Sequence, residues 1–303
     1  MPRIVFLLVP RVHLLDLAGP AQVFSEAGEL GHPYRMHYVA EQPEVVSAQG
    51  LPLQARTDWP PLDPADLVVV PGWRSDRFSI GPALSPDTLG RLREHHDRGG
   101  TVASVCAGAD ALGRAGLLDG RRCTTHHELQ DALARRYPRA CVVRDVLYVV
   151  DGRVVTSAGI ASGIDLALHL VATWHGPAAA AAVARAMVVY ARRNGDEQQA
   201  SAMLRHRAHL NDAVHRAQDV IDTRFAEPLP LTELAAAAGV SERTLTRRFQ
   251  AATGLTPLRY QQELRLERAE HLIGHGSGQD AAAHAVGFSD ARMLRRLRGR
   301  ATP

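Results

Sequence analysis

Two sets of residues in this chain of 303 have the types and spacings that do chemistry. The first centres on Cys106, in the run Ala103-Ser104-Val105-Cys106-Ala107-Gly108-Ala109, where an apolar stretch meets small residues that let a strand reverse sharply into a helix. A side chain on such an elbow is thrust toward the open end of a sheet. A thiol there lies near a helix N-terminus, whose partial positive charge favours thiolate, and the backbone N–H groups of Gly72 and Ala107 are placed to face an oxyanion. Asp16 and Pro71-Gly72-Trp73 follow other apolar runs and are expected in loops at strand ends, where such sheets bind ligands. The alternative is that Cys106 is a buried small hydrophobe, free cysteine being among the most buried residue types. The sequence leaves both open. His126 and Glu128 invite a Cys-His-Glu reading, yet Thr125-x-x-Glu128 is also a capping box. Capping is the role expected of Glu128, opening a helix through Leu129 to about Tyr137. His127 and the pair His95-His96 lack partners at ligand spacing and are expected at the surface or at caps.

The second set is rich in arginine. Leu231-Thr232-Glu233-Leu234-Ala235-Ala236-Ala237-Ala238-Gly239-Val240-Ser241 runs into Glu242 to Ala252. Gly239 supplies a left-handed turn, Ser241 caps the new helix, and Ala235 is small enough for a close crossing, which are helix-turn-helix requirements. Leu245 and Phe249, four apart, face the core and leave Arg243, Thr244, Thr246 and Arg247 for a major groove. An ordinary helical hairpin with a solvated arginine face reads the same way, and a repeat decides between them. Ala283 to Asp290 echoes Ala235 to Glu242 at an offset of 48, followed by Arg292, Leu294, Arg295 and Arg296. Between the two lies a helical stretch, Pro257 to Ile273, of about 25 Å, which sets two reading heads near the ~34 Å between successive major-groove faces.

The elements that position these residues differ along the chain. Ile4 to Val9, Tyr34 to Ala40, Leu67 to Val70 and Thr101 to Val105 read as strands, with Leu147 to Val150 paired to Val154 to Thr156 through a turn at Asp151-Gly152. Helical patterns such as Asp87 to Arg98 and Ile164 to Trp174 accompany them, which implies a mainly parallel sheet covered by helices. Arg192 to Gln199 is polar and aperiodic and reads as a connection. From Asn211 onward the pattern is helical only. Hydrophobic residues at 46% and charged ones at 22% exclude a collagen-like, mucin-like or wholly disordered chain. All 35 basic residues are arginine, which carries no functional weight. Residues 205 to 303 hold 15 arginines against 11 acids, and residues 1 to 204 hold 20 against 21, so the basic excess sits at the C-terminal end. Three cysteines without a CxxC pair fit neither a disulfide framework nor a zinc site and point to a reducing compartment. Ile164 to Trp174, interrupted by Asp165 and His169, falls well short of the ~20 apolar residues of a membrane span.

Asp16-Leu17-Ala18-Gly19-Pro20, Val70-Pro71-Gly72-Trp73, Ser104-Val105-Cys106-Ala107-Gly108, Gly116-Leu117-Leu118-Asp119-Gly120 with Thr124-Thr125-His126, and Thr156-Ser157-Ala158-Gly159 through Gly163-Ile164-Asp165 together resemble the PfpI/ThiJ branch of the amidotransferase-like superfamily, over about residues 3 to 190. The resemblance implies a flavodoxin-like sandwich with a pocket at Cys106, Asp16 as its acidic neighbour, and, in regulators that borrow the domain, small-molecule sensing there. Protease-like members place a histidine directly after the cysteine, where this chain has Ala107. Isocyanide-hydratase-like members carry an aspartate at the position of Asp16. Residues 209 to 298 resemble the AraC/XylS DNA-binding domain through Leu234-Ala235-x-x-x-Gly239-Val240-Ser241, Leu245 with Phe249, Gly254-x-x-Pro257-x-x-Tyr260, and Arg265-Leu266-x-Arg268-Ala269-x-x-Leu272. The whole chain resembles the GlxA-type regulators. In that family the second motif places its buried aromatic one residue after Leu297, where this chain has Arg298. A guanidinium buried there without a partner is costly. The second motif is therefore expected to be loosely packed or to touch mainly phosphate, with Gly274-His275-Gly276-Ser277-Gly278 adding freedom.

The expected protein is an α/β chain: a flavodoxin-like doubly wound sheet at 1–190, a linker at 191–208, and an all-α domain with two helix-turn-helix motifs at 209–303. Its expected function is that of a cytoplasmic transcriptional regulator, not an enzyme, with double-stranded DNA contacted by Arg243, Thr244, Thr246, Arg247, Arg292, Arg295 and Arg296. A small-molecule effector is expected at Asp16, Gly72, Cys106, Ala107 and His126. A homodimer is expected, with no membrane partner, metal or cofactor. The alternative is a cysteine-dependent enzyme of the isocyanide-hydratase/PfpI type, with Cys106 as nucleophile and Asp16 as proton relay, which requires a thiol pKa below ~8.5. A third reading is redox sensing by Cys106.

Overall fold

The structure, a computed structural model, describes residues 1–74, 84–189, 193–196, 199, 205–207, 209–274 and 276–301. They belong to two compact units, Met1–Gln199 and Ala200–Pro303.

In the first unit the apolar runs form one six-stranded sheet. Its strands are β1 (Arg3–Leu7), β2 (Arg35–Val39), β5 (Leu67–Val70), β6 (Thr101–Val105), β9 (Tyr148–Asp151) and β10 (Val154–Ser157), in the order β2-β1-β5-β6-β10-β9. Every neighbouring pair is parallel except β9–β10, the hairpin that turns through Gly152 at φ +59°. Leu67 to Val70 are all buried, as befits a central strand of a parallel sheet covered on both faces. The helices pack in two groups: α1 (Leu14–Glu29) with α5 (Ser162–His175) and α6 (Pro177–Ala186), and α2 (Pro86–Asp97) with α3 (Ala109–Arg114).

Several features depart from the sequence reading. Asp16 is not in a loop but in the first turn of α1, a helix that the breakers Gly19 and Pro20 conceal in the sequence. Two short pairs, β3 (Glu44–Val46) with β4 (Pro52–Gln54) and β7 (Arg122–Cys123) with β8 (Cys141–Val142), are too brief to show a period. His95 and His96 are buried, not superficial. The His95 Nε2 lies 3.1 Å from the Asp66 carbonyl oxygen, and Gly100 leaves room for its ring, since a Cβ there would lie 2.1 Å from it. The polar segment after α6 is fastened to the sheet domain: Arg193 meets the buried Asp165 through its backbone N–H and through two guanidinium nitrogens at 3.1 and 2.6 Å. Gly195 accepts from the Leu147 amide at 2.9 Å.

The second unit holds two small cores. Helices α7 (Asp212–Arg224), α8 (Leu231–Ala238) and α9 (Glu242–Thr253) surround Leu234, Ala235, Leu245, Phe249 and Tyr260. Gly239 makes the left-handed turn at φ +68°, and the Ser241 hydroxyl accepts from the Thr244 amide at 3.3 Å. Helix α10 (Pro257–Gly274) leads to α11 (Gln279–Ala285) and α12 (Ala291–Ala301), which enclose Ala282, Ala283, Val286, Phe288, Leu294 and Leu297. This second core is not loose. Leu297 is 5% exposed and fills the place of Phe249, while Arg298 lies at the edge with its Nε 3.3 Å from Glu270. The glycine-rich connection is tied as well: the Gly276 and Ser277 amides donate to Ile273 and Leu272 at 3.0 Å each. Its His275 lies outside the described residues. No helix among the described residues is long and apolar enough to cross a membrane.

Candidate functional site

Three strand ends converge on Cys106. Strand β6 stops at Val105, and Cys106 to Gly108 form a single 3-10 turn before α3. Cys106 adopts φ +54°, a strained conformation for a residue with a side chain and the mark of an elbow. The neighbours make room for it by lacking side chains. A Cβ on Gly159 would lie 2.1 Å from Cys106 Cβ, one on Gly108 would lie 2.0 Å from the Val70 carbonyl oxygen, and one on Gly72 would lie 2.4 Å from Asp16 Oδ2 and 2.9 Å from the Ala107 nitrogen. Asp16, Gly72, Cys106 and Ala107 therefore meet at one place.

That place is buried. Asp16 is 0% exposed and Cys106 6%. Asp16 Oδ1 accepts from the Ile160 amide at 2.6 Å, whereas its buried Oδ2 finds no well-aligned donor among the described residues. Burial pushes the carboxyl up to about 6, opposed by the Ile160 amide and by looser hydrogen bonds from the Cys106 thiol and the Gly72 amide. Burial likewise pushes the Cys106 thiol well above its ordinary value; the Asp16 charge adds to this and the Ala107 amide opposes it. The expected thiolate-favouring environment is thus corrected: desolvation and a neighbouring carboxylate outweigh the short turn's partial charge.

His126 stands beside this site and not in a triad. Its ring packs on His127 at 4.3 Å, its Nδ1 lies 3.8 Å from Glu128, and burial lowers its pKa. The expected capping box does not form. Thr125 turns its hydroxyl to the Cys106 carbonyl at 2.8 Å, His127 to Leu129 make a 3-10 turn, and the α-helix α4 spans only Gln130–Arg136. Neither Ile160 nor Gln199 stood out in the sequence, and Thr125 stood out only as a cap. The Gln199 side-chain amide donates to the Thr125 and Val146 carbonyls at 3.0 Å each. No local pattern marks these contacts, which join residues 74 and 53 positions apart.

In the second unit Arg243, Arg247, Arg292, Arg295 and Arg296 are all exposed. None makes an ion pair among the described residues, whereas Arg205, Arg207, Arg224 and Arg298 are bound to carboxylates. Thr244 and Thr246 are half-buried, and their hydroxyls serve the helix: Thr244 Oγ1 accepts from Ser241 and Thr246 Oγ1 donates to the Glu242 carbonyl. Asp290 caps α12, accepting from the Arg292 amide at 2.8 Å. Arg248, also exposed, was not singled out from the sequence.

Comparison with known proteins matches residues 2–173 to the DJ-1/PfpI family and residues 234–302 to a helix-turn-helix domain. The chain is 31% identical over 276 residues to the HTH-type transcriptional regulator GbdR of Pseudomonas aeruginosa, across 88% of this chain and 72% of that protein. It is 36% identical over 170 residues to isonitrile hydratase of Pseudomonas putida, across 55% of this chain and 70% of the hydratase. An AraC family transcriptional regulator from Pseudomonas putida, known from its crystal structure, superposes with a TM-score of 0.54 at 25% identity, covering 62% of this chain and 100% of its own.

Proposed function

We infer, from the premise that this chain belongs to the DJ-1/PfpI family through residues 2–173 and carries a helix-turn-helix domain over residues 234–302, that it is a DNA-binding transcriptional regulator whose first unit binds a small effector. The observation that carries the DNA reading is the pair of capped second helices presenting arginines that form no ion pair among the described residues. Exposed cations on two repeated helices are suited to phosphate and guanine, and contacts to phosphate supply most of the salt-dependent affinity. We assign base contact to Arg243, Arg247, Arg292, Arg295 and Arg296, and phosphate contact to Arg248.

The effector reading rests on Asp16 Oδ2, a buried acceptor that finds no well-aligned donor among the described residues, with only the Cys106 thiol and the Gly72 amide loosely placed toward it. Such an atom costs free energy until something donates to it. The effector accordingly carries a hydrogen-bond donor that reaches this oxygen. Its state passes to the linker through Thr125, which binds the Cys106 carbonyl and holds Gln199, the last residue of the first unit. Recovery of bound sequences from random DNA by the full chain tests the reading: a palindromic or two-part motif supports it, and recovery of no motif at all sinks it.

Isonitrile hydration by Cys106 is the second reading, favoured by the similarity to the hydratase and by the contact with Asp16. Against it stands the raised thiol, which keeps the nucleophile protonated near neutral pH. Turnover of an isonitrile that a Cys106→Ser change abolishes would establish it.

A further inference from the structure

Resting on the DNA-binding reading, we propose that Arg265 is the positioning residue that locks the two reading heads at one spacing and so dictates the distance between the two halves of the operator.

Arg265 projects from α10, the helix shared by both heads. Its Nε donates to the Phe225 carbonyl at 2.6 Å and its Nη2 to the Glu227 carbonyl at 2.8 Å, both in the segment that follows α7 in the first head. Its Nη1 donates to the Gly287 carbonyl at 2.8 Å, in the turn of the second head. The guanidinium carbon stands 5.6 Å from the centroid of the Phe288 ring, also in the second head. Gln261, one turn earlier on the same face of α10, donates to Phe225 and Glu227 again at 2.9 and 2.8 Å. The two heads touch directly beneath this clasp. A Cβ on Gly287 would lie 1.9 Å from the Ala226 carbonyl oxygen, and the Phe225 side chain packs against both cores.

The chemistry argues for geometry over stability. All three acceptors are neutral carbonyls, with no carboxylate among the described residues to offset the partial desolvation of the charge, and a half-buried cation so placed is a poor source of stability compared with an apolar side chain. What a guanidinium supplies is a rigid planar fork that reaches three carbonyls from two bodies at fixed angles, which an ammonium on a flexible stem does not. Heads held this way present α9 and α12 at one separation. DNA whose half-sites are moved along the helix then loses one head's contacts entirely.

The test uses the full-length chain and duplexes built on the sequence that the wild type selects, with about one to three base pairs inserted or removed between the halves. Wild type is expected to lose about tenfold or more in affinity at altered spacings, a single head's specific contacts being worth at least this much. Arg265→Met, which keeps the aliphatic stem, and Gln261→Leu are expected to flatten the preference to within about threefold while each half-site keeps its sequence preference. Thermal unfolding of each variant verifies folding, and Phe288→Leu serves if Arg265→Met does not fold. Variants that retain the wild-type spacing preference, or that lose the same factor at every spacing, overturn the proposal. A wild-type motif whose halves slide freely overturns it alone, whereas recovery of no motif overturns the regulator reading and this inference together.

Discussion

The backbone amide of Ile160 donates to Asp16 Oδ1 at 2.6 Å across a separation of 144 residues, and this bond closes the buried site where Cys106 stands. The carboxylate pays for its place: burial lifts it to about 6 from 3.8.

From that lift follows one contribution to the pH dependence of stability. The folded state holds the Asp16 proton more tightly than the unfolded chain, so the Asp16 contribution falls as pH rises from about 4 to about 6 and then levels, a change of about 3 kcal/mol, against the lowered histidines such as His95 and His126, whose contributions rise with pH. Asp16→Asn keeps an acceptor for Ile160 and removes the charge. The variant is expected to be more stable than wild type by up to about 3 kcal/mol at pH 8, with the difference vanishing toward pH 4. Urea unfolding of the first unit at several pH values measures this, and a variant less stable at pH 8 contradicts it.

Glycines at the site and elsewhere should respond with opposite sign. Gly72→Ala drives a methyl to 2.4 Å from Asp16 Oδ2 and 2.7 Å from Cys106 Cβ, costing about 3 kcal/mol. Gly90, inside α2 with nothing within 4 Å of its added Cβ, should gain about 0.5–1 kcal/mol on the same change. Melting temperatures that move in the same direction for both would refute the close-packed account of the site.

Thiol reactivity should follow burial. Cys141 is exposed, and Cys123, buried, is pushed up to about 12. Maleimide at pH 8 is expected to label Cys141 first and Cys106 at least about tenfold more slowly. Mass spectrometry of peptides reads the order, and rapid labelling of Cys106 would revive the enzyme and redox readings.

On DNA, Arg247→Ala is expected to relax the preference at one base position by about 1–3 kcal/mol, and Arg248→Ala to weaken all sequences alike while lowering the salt slope by about one. Binding isotherms over a salt series separate the two. An Arg248→Ala variant with an unchanged slope removes Arg248 from the phosphate contacts.

Coupling between the units has its own signature. For a metabolite found to raise the melting temperature of the first unit, Gln199→Leu should keep that rise and lose the metabolite's effect on DNA affinity, since linkage requires the two binding events to share a changing element. Persistence of the full effect in the variant would show that the route lies elsewhere.

Local pattern alone was enough for the alternating strands, the glycine-lined elbow at Cys106, the Asp151-Gly152 hairpin and the repeated helix-turn-helix, because propensity, period and turn chemistry act over a few residues. The burial of Leu297 was not legible there, since the resemblance set the buried place of the second motif one residue later, at Arg298, whereas the structure buries Leu297. The ionisation of Cys106 and Asp16 was not either, since desolvation is set by everything that packs around a group. Nor were the partner of Thr125, which abandons its cap for the Cys106 carbonyl, the edge position of Arg298 beside Glu270, or the three carbonyls gathered by Arg265. Each of these is a contact between segments far apart in the chain, and only the closing of the tertiary structure decides which donor finds which acceptor.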